Sequence, residues 1–426
     1  MQDQIAHVYD CFLQCTGAAI DNRAIQPGQM FFGLPGEKVN GGMFAAQALQ
    51  NGAAYAVVDH VDYRTDERCL VVEDVLGVMQ GVAAQYRNTF TFPVLALTGS
   101  NGKTTTKELI AAVLSKKYIT YTTKGNLNNH IGVPLTLLNI GRDCTFAVIE
   151  MGANHQGEIA SYCAYADPDF GLITNIGKAH LEGFGGIEGV LKGKSELFRH
   201  IMDKSGVIFW NSGQEKLAPI ARQYARTVTY GFKAEDYLTG RLEQDGDFAV
   251  VTIDDEVTIH SHLVGSYNAE NILAAACIGK YFDVGYADIQ DAIEQYIPGN
   301  NRSERKEING NYFIMDAYNA NPSSMRAALE NFARLEAPLK VVIIGDMLEL
   351  GEYAEAEHRA ILELADQKAF THVVTVGPQF MALAGGRVEA LPDSAAAREW
   401  LQARSLKGAT ILLKGSRGMQ LEKVIS

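Results

Sequence analysis

Apolar runs of strand length recur along the chain, separated by longer stretches in which apolar residues return at helical spacing. Met30-Phe31-Phe32 and Ala54-Tyr55-Ala56-Val57-Val58 read as strands of a first unit. A helix is expected between them over Met43 to Asn51, ending at Gly52. A second unit opens with Phe92-Pro93-Val94-Leu95-Ala96-Leu97, whose unbroken apolarity predicts a strand covered on both faces. A helix from about Lys103 to Lys116 follows, then strands at Phe146-Ala147-Val148-Ile149, Gly171-Leu172-Ile173-Thr174 and Val207-Ile208-Phe209-Trp210. Helical stretches between them predict a parallel sheet with crossover helices. Residues 227–264 break that pattern. Alternation around Asp245-Gly246 and Asp254-Asp255 predicts an antiparallel appendage, and a helix then runs from about Asn268 to Tyr281. Pro298-Gly299-Asn300-Asn301 marks a linker. Beyond it, Tyr312–Met315, Val341–Ile344, Val373–Val376 and Ile411–Lys414 alternate with helical patterns and predict a doubly wound, Rossmann-like sheet. The expected fold class is α/β in three domains: 1–88, a small α/β unit; 89–299, a central parallel-sheet unit; and 300–426, the C-terminal unit.

Composition narrows the class. Hydrophobic residues make up 47% and charged residues 20%, which fits folded protein rather than disorder. The formal charge of −13 argues against a general nucleic-acid binder. Met1-Gln2-Asp3-Gln4-Ile5 has neither a basic nor an apolar leader character, and no apolar run approaches the roughly 20 residues that span a bilayer. The six cysteines form no C-x-x-C pair, so neither a zinc ribbon nor a redox motif is indicated. Free thiols suit a reducing compartment, and a cytoplasmic protein without membrane insertion is expected. Cys11 and Cys15, four apart, are expected to share one helix face.

The sharpest chemistry lies at Gly99-Ser100-Asn101-Gly102-Lys103-Thr104-Thr105, between a predicted strand and a predicted helix. Glycines let backbone N–H groups close around phosphate oxygens, and a helix N-terminus adds positive potential. Lys103 would bridge the β- and γ-phosphates, and the Thr104 hydroxyl would ligate Mg²⁺. The spacing is G-x-x-G-K-T, shorter than the standard phosphate loop. The alternative is a structural glycine turn before a helix. The loop predicts ATP binding without specifying the reaction.

Downstream, Glu150 ends an apolar strand, where ligands collect in parallel sheets. It reads either as an acid holding Mg²⁺ or as a charge at a helix start. His180, in Asn175-Ile176-Gly177-Lys178-Ala179-His180-Leu181-Glu182, follows another strand; it reads as a metal ligand, a phosphate contact or a structural histidine. Lys194, in Gly193-Lys194-Ser195-Glu196-Leu197-Phe198, reads from composition alone as a solvated helix lysine.

Taken in order, T-G-S-N-G-K-T-T, E-M-G, N-I-G-K-A-H-L-E and G-K-S-E-L-F resemble the motifs of the Mur ligases, ATP-dependent amide-forming enzymes of peptidoglycan precursor synthesis. Gly265-Ser266-Tyr267-Asn268-Ala269-Glu270-Asn271 is similar to the family's G-x-x-N-x-x-N helix start. Three further runs match the branch whose substrates are UDP-N-acetylmuramoyl-tripeptide and D-alanyl-D-alanine: Gly125 to Leu138, Asp316-Ala317-Tyr318-Asn319-Ala320-Asn321-Pro322 and Gly345-Asp346-Met347-Leu348-Glu349-Leu350-Gly351. The likeness is weakest in the first domain, where Asp21-Asn22-Arg23 stands for the family's D-S-R. Asn301-Arg302-Ser303 likewise stands for G-R-M.

The resemblance implies roles. Gly99 to Thr105 would cradle the nucleotide, with Lys103 on the moving phosphoryl group. Thr104 and Glu150 would hold one Mg²⁺, and His180 would help hold a second. Lys194 matches the family lysine that CO₂ converts to a carbamate. Asn271 and Arg302 match adenine contacts, and Asp316 a contact to the nucleotide sugar. Asn22, Arg23, Asn126, Asn128, Asn129 and Asn319 would face substrate, although amides at 126–129 can equally cap turns. The first domain would bind the UDP-muramoyl part. A monomer that closes about the linker near Pro298 is expected, with no nucleic-acid partner. Competing expectations are another Mur or folylpolyglutamate synthase-type ligase, a non-catalytic nucleotide-binding module, and a phosphate-loop ATPase coupled to movement or transport.

Overall fold

The structure is a computed structural model that describes residues 1–243, 247–299 and 301–425. The hairpin predicted at Asp245-Gly246, and Asn300 of the predicted linker, lie outside the described residues. Three sheets carry the described residues.

The first sheet has four short parallel strands, Ala18–Ala19, Met30–Phe32, Tyr55–Val58 and Cys69–Val71, side by side in chain order. The helix expected over Met43 to Asn51 is split. A 3₁₀ turn at Gly41–Phe44 starts where the Asn40 side chain accepts the Gly42 N–H, and the α-helix proper is Ala45–Gln50. Gly52 follows with φ +105°, as a helix stop requires. Cys15 lies beyond the first helix, Gln2–Phe12, so the two cysteines do not share its face.

The central sheet has nine strands. Val94–Thr98, which feeds the glycine loop, lies between Phe146–Glu150 and Phe170–Ile173, all parallel. Its side chains are buried on both faces, and they alternate between two cores. Val94 and Ala96 join one with Tyr162 and Phe198, while Leu95 and Leu97 join the other with Ile110 and Ile272. The break expected at 227 comes later. Thr227–Gly231 and Leu238–Glu243 still pair in parallel, and antiparallel pairing begins with Phe248–Ile253, which runs against both Leu238–Glu243 and Val257–Val264. Asp254 and Asp255, both left-handed with φ 48° and 54°, make that hairpin turn.

The third sheet has six strands. Glu304–Ile308 pairs antiparallel with Asn311–Asp316, and Thr410–Lys414, Lys340–Gly345, His372–Val376 and Val388–Leu391 continue it in parallel. Val342 and Ile344 pack toward Pro322–Arg334 and its neighbouring helices, while Val341 and Ile343 face Ser394–Arg404, so helices cover both faces. Among the described residues no helix is long and apolar enough to cross a membrane.

Candidate active site

The loop after Val94–Thr98 depends on its two glycines. Gly99 has φ +150°, and a Cβ there would sit 1.9 Å from the Thr174 hydroxyl; Gly102 has φ +77°, and a Cβ would sit 2.5 Å from Asn271 Oδ1. The neighbouring strand end pins the loop. Ser100 N donates to Asn175 O, Asn101 N to Asn175 Oδ1, and Thr174 Oγ1 to Asn101 O. The helix Lys103–Leu114 starts directly afterwards, and its first-turn N–H groups have no carbonyl within the helix to bond. Lys103 folds back and donates to Gly99 O at 2.7 Å. Burial holds its ammonium below its usual range, with Arg302 adding to the effect and Glu150 opposing it.

Glu150 ends its strand inside the site. Its Oε1 accepts from Thr104 Oγ1 at 3.2 Å and from Asn128 Nδ2 at 2.7 Å. Its Oε2 is buried and has no hydrogen-bond partner among the described residues. The helix-start alternative does not hold, because Glu150 is the last residue of Phe146–Glu150 and the next helix begins at Glu158. A buried anionic oxygen without a partner, beside a threonine hydroxyl, is a donor set suited to a hard divalent cation.

Lys194 overturns the expectation of a solvated lysine. It is completely buried in the helix Ile187–Lys194, and its Nζ has no hydrogen-bond partner among the described residues. The Nζ lies 5.2 Å from the Phe184 ring centroid. Burial first, and then the nearby Lys103, push its pKa well below the ordinary lysine range, although Glu158 opposes them.

One cleft of about 600 Å³ gathers most of the expected residues. Ser100 to Thr105, Asn126, Asn128, Asn129, Glu150, His180, Asn271, Arg302, Asp316 and Asn319 all line it. Gly99 and Lys194 are not among its lining residues. Asn22 and Arg23 do not reach it: Asn22 donates to Gln47, and Arg23 pairs with Asp21 at the surface. Asn129 caps the helix Gly132–Leu138 by accepting from Ile131 N and Gly132 N, so it serves the turn as well as the wall. Asn271 accepts from Thr106 Oγ1 and donates to Asn268 Oδ1, and Arg302 stacks 3.6 Å from the Tyr318 ring centroid.

Sequence reasoning passed over Asn175, Asn321 and Lys414. Asn321 Nδ2 donates to Asn101 Oδ1 across the domain boundary, and Lys414 pairs with Asp316. Asn321 sat within a quoted motif. Lys414 ends a parallel strand, the same positional signal that singled out Glu150.

A phosphate loop on a central parallel sheet, facing a cleft walled by a separate Rossmann-like domain, defines a nucleotide-using enzyme whose site spans two domains. Family models match along the chain: the Mur ligase family catalytic domain over residues 14–87, the Mur ligase middle domain over 97–279, and the Mur ligase glutamate ligase domain over 301–417. The chain belongs to the Mur ligase family, ATP-dependent enzymes that form amide bonds. It is 34% identical to the UDP-N-acetylmuramoyl-tripeptide--D-alanyl-D-alanine ligase of Bacillus subtilis, over 96% of this chain and 92% of that one. A crystal structure of MurF from Acinetobacter baumannii superposes with a TM-score of 0.84 at 32% identity, covering 96% of this chain and 92% of that chain. A MurF ligase from Thermotoga maritima in complex with ADP gives 0.85 at 25%, covering 97% and 96%.

Proposed function

We propose that this enzyme joins D-alanyl-D-alanine to UDP-N-acetylmuramoyl-tripeptide, giving UDP-N-acetylmuramoyl-pentapeptide, ADP and phosphate. The observation that carries the reading is likeness to ligases of that name over 96% of the chain, through all three domains rather than the nucleotide site alone. A carboxylate is a poor electrophile. ATP phosphorylates it, the amine of D-alanyl-D-alanine attacks the acyl phosphate, and phosphate leaves through a tetrahedral intermediate.

Lys103 is suited to the transferring phosphoryl group once it turns from the Gly99 carbonyl. Thr104 and the free oxygen of Glu150 would hold one Mg²⁺, and His180 would serve a second; bound metal would neutralise charge that develops on the phosphoryl oxygens. A deprotonated amine, and not an ammonium, reacts with CO₂, so the depressed pKa and unpartnered Nζ of Lys194 suit it for carbamate formation. The carbamate would exchange a buried cation for an anionic oxygen donor. Asn271 and Arg302 would hold the adenine and Asp316 the ribose. Asn126, Asn128, Asn129 and Asn319 would face the peptide substrates, and Asn22 and Arg23 the UDP-muramoyl part. Domain divisions after residues 88 and 299 belong to the same reading.

Mass spectrometry of the product, and phosphate release measured with each substrate omitted, test the reaction. Release requiring both UDP-muramoyl-tripeptide and D-alanyl-D-alanine is expected; release indifferent to either would overturn it. Lys194→Ala is expected to abolish ligation, with partial recovery from short carboxylic acids and none from bicarbonate.

A further inference from the structure

The Gly345–Gly351 run has no part in the chemistry above, yet the structure fixes it closely. Asp346 is buried, and its carboxylate accepts from Gln379 N at 2.8 Å and Phe380 N at 2.9 Å. Met347 N donates to His358 Nε2 at 3.0 Å, and Leu348 N to Ser416 Oγ at 2.9 Å. His358 Nδ1 lies 2.7 Å from Ala354 O, which can only accept, so Nδ1 carries the His358 proton. This scaffold leads into two left-handed residues, Glu349 at φ 62° and Gly351 at φ 53°. The left-handed region is costly for glutamate and persists only where its surroundings impose it.

The result is a contact across the domain boundary. Glu349 O accepts from Glu182 N at 3.3 Å, and the Glu349 carboxylate bonds His180 Nδ1. His180 is itself left-handed at φ 52°, caps the short helix Leu181–Phe184 and lines the cleft. Gly351 makes the approach possible, since a Cβ there would already lie 3.1 Å from Glu182 Cβ and Cγ. Two strained residues, one from each domain, therefore meet at one bond beside the phosphate loop.

We propose that Glu349 is a positioning residue supplied by the C-terminal domain, holding the His180 proton on Nδ1 so that Nε2 is left as an acceptor in the cleft. A carboxylate behind a working histidine fixes both its tautomer and its ring orientation. The consequence is specific: docking of the C-terminal domain both closes the cleft and sets the tautomer of a residue in the central domain. This deepens the reading above and rests on His180 acting in ligation.

The test is a comparison of Glu349→Ala and Glu349→Gln in the full chain. Glu349 is half exposed, so neither change should unfold the protein. Nitrogen NMR of labelled histidine, without nucleotide and assigned against His180→Asn, is expected to show His180 protonated at Nδ1 in the wild type and to lose that state in Glu349→Ala. The kcat of Glu349→Ala should fall about 10- to 100-fold, with the KM for ATP within about two-fold. Glu349→Gln, whose carbonyl can accept the same bond, should recover most of the activity and the wild-type tautomer. A wild-type tautomer in Glu349→Ala, an unchanged kcat, or a fall in kcat without a tautomer change would each overturn the proposal. Failure of the ligase reading would appear separately, as absence of ligation by the wild type, while the tautomer measurement would stand.

Discussion

The two junctions of the central domain differ in how far each is apolar or polar. On the N-terminal side, the helix Val75–Arg87 lies against Gly132–Leu138 and Glu158–Ala166, and the two units share a core. The Phe12 and Tyr86 rings meet edge to face at 5.3 Å, and Tyr86 Oη donates to Ile140 O at 2.9 Å. Arg87 is buried in the seam and bonds Ala166 O, Asp167 O and the Asp169 carboxylate. On the C-terminal side the specific bonds are polar: Asn321 to Asn101, Lys178 N to Ser323 Oγ, Ser266 N to Asn331 Oδ1, Lys178 with Glu357 and His180 with Glu349. Apolar contact is not lacking there, since Met347 and Leu350 belong to the same buried cluster as Leu181 and Phe184. The contrast is one of degree, but it has a direction. Separating a shared apolar core exposes area at roughly 25 cal/mol per Å². Polar contacts exchange with water at a net cost of about 1 kcal/mol each. That direction predicts that the C-terminal domain is the one that moves, with the linker near Pro298 as its hinge. Scattering with and without ATP should show compaction; identical radii would remove the hinge.

The largest effect expected is on the apolar side. Phe12→Ala removes a ring that is 4% exposed, and should cost about 3–5 kcal/mol in urea unfolding. Because the first two domains share that core, they should unfold in one transition in both wild type and variant. Separate melting of the N-terminal domain would break the comparison. Arg87→Leu comes next. It strips a partner from Asp169, which remains about a third exposed, so a loss of about 3 kcal/mol is expected, at the low end for broken buried pairs. A loss below about 1 kcal/mol would mean that packing alone holds the seam.

These features were legible in the sequence to different extents. Val94–Thr98 and Phe146–Glu150 announced themselves because strands covered on both faces need unbroken apolar runs. The loop from Gly99 was legible because phosphate binding demands glycines, a lysine and a threonine in order. Ala18–Ala19, Cys69–Val71 and Thr120–Thr122 were missed; each is only two or three residues long and lies at a sheet edge. Lys194 was misread because a lysine carries no local sign of burial; the apolar wall that covers it comes from other elements. Glu349 was passed over as a site residue because its partner, His180, is 169 positions away, and only domain docking joins them.

On the polar side the expected effects are smaller in stability and larger in function. Gly351→Ala forces a side chain into a left-handed backbone and against Glu182, at a cost of roughly 1–2 kcal/mol. The contact with Glu182 falls on the docked arrangement and the backbone strain on the loop of the C-terminal domain, so kcat/KM should drop about tenfold while urea unfolding of the core shared by the first two domains hardly changes. Equal losses in both measurements would show the C-terminal junction to be as structural as the N-terminal one.

The smallest effect sharpens the comparison most. Lys178 is half exposed and reaches Glu357, and its backbone N–H separately donates to Ser323 Oγ at 2.9 Å. Lys178→Ala removes the ion pair and keeps the backbone bond. The lysine end of this pair is open to solvent while Glu357 is mostly covered, so the pair contributes about 1 kcal/mol and salt screens it in part. The variant should therefore lose a few-fold in kcat/KM at low ionic strength, and the deficit should fade at about 1 M salt, where the Debye length is about 3 Å. Arg87→Leu is expected to respond in the opposite way, with a stability loss that salt leaves nearly unchanged because Arg87 is shielded from solvent. If the two variants showed the same salt dependence, the distinction between a fused seam and a polar clasp would fail. If they diverge, ionic strength becomes a dial for closure of one junction while the other stays fixed.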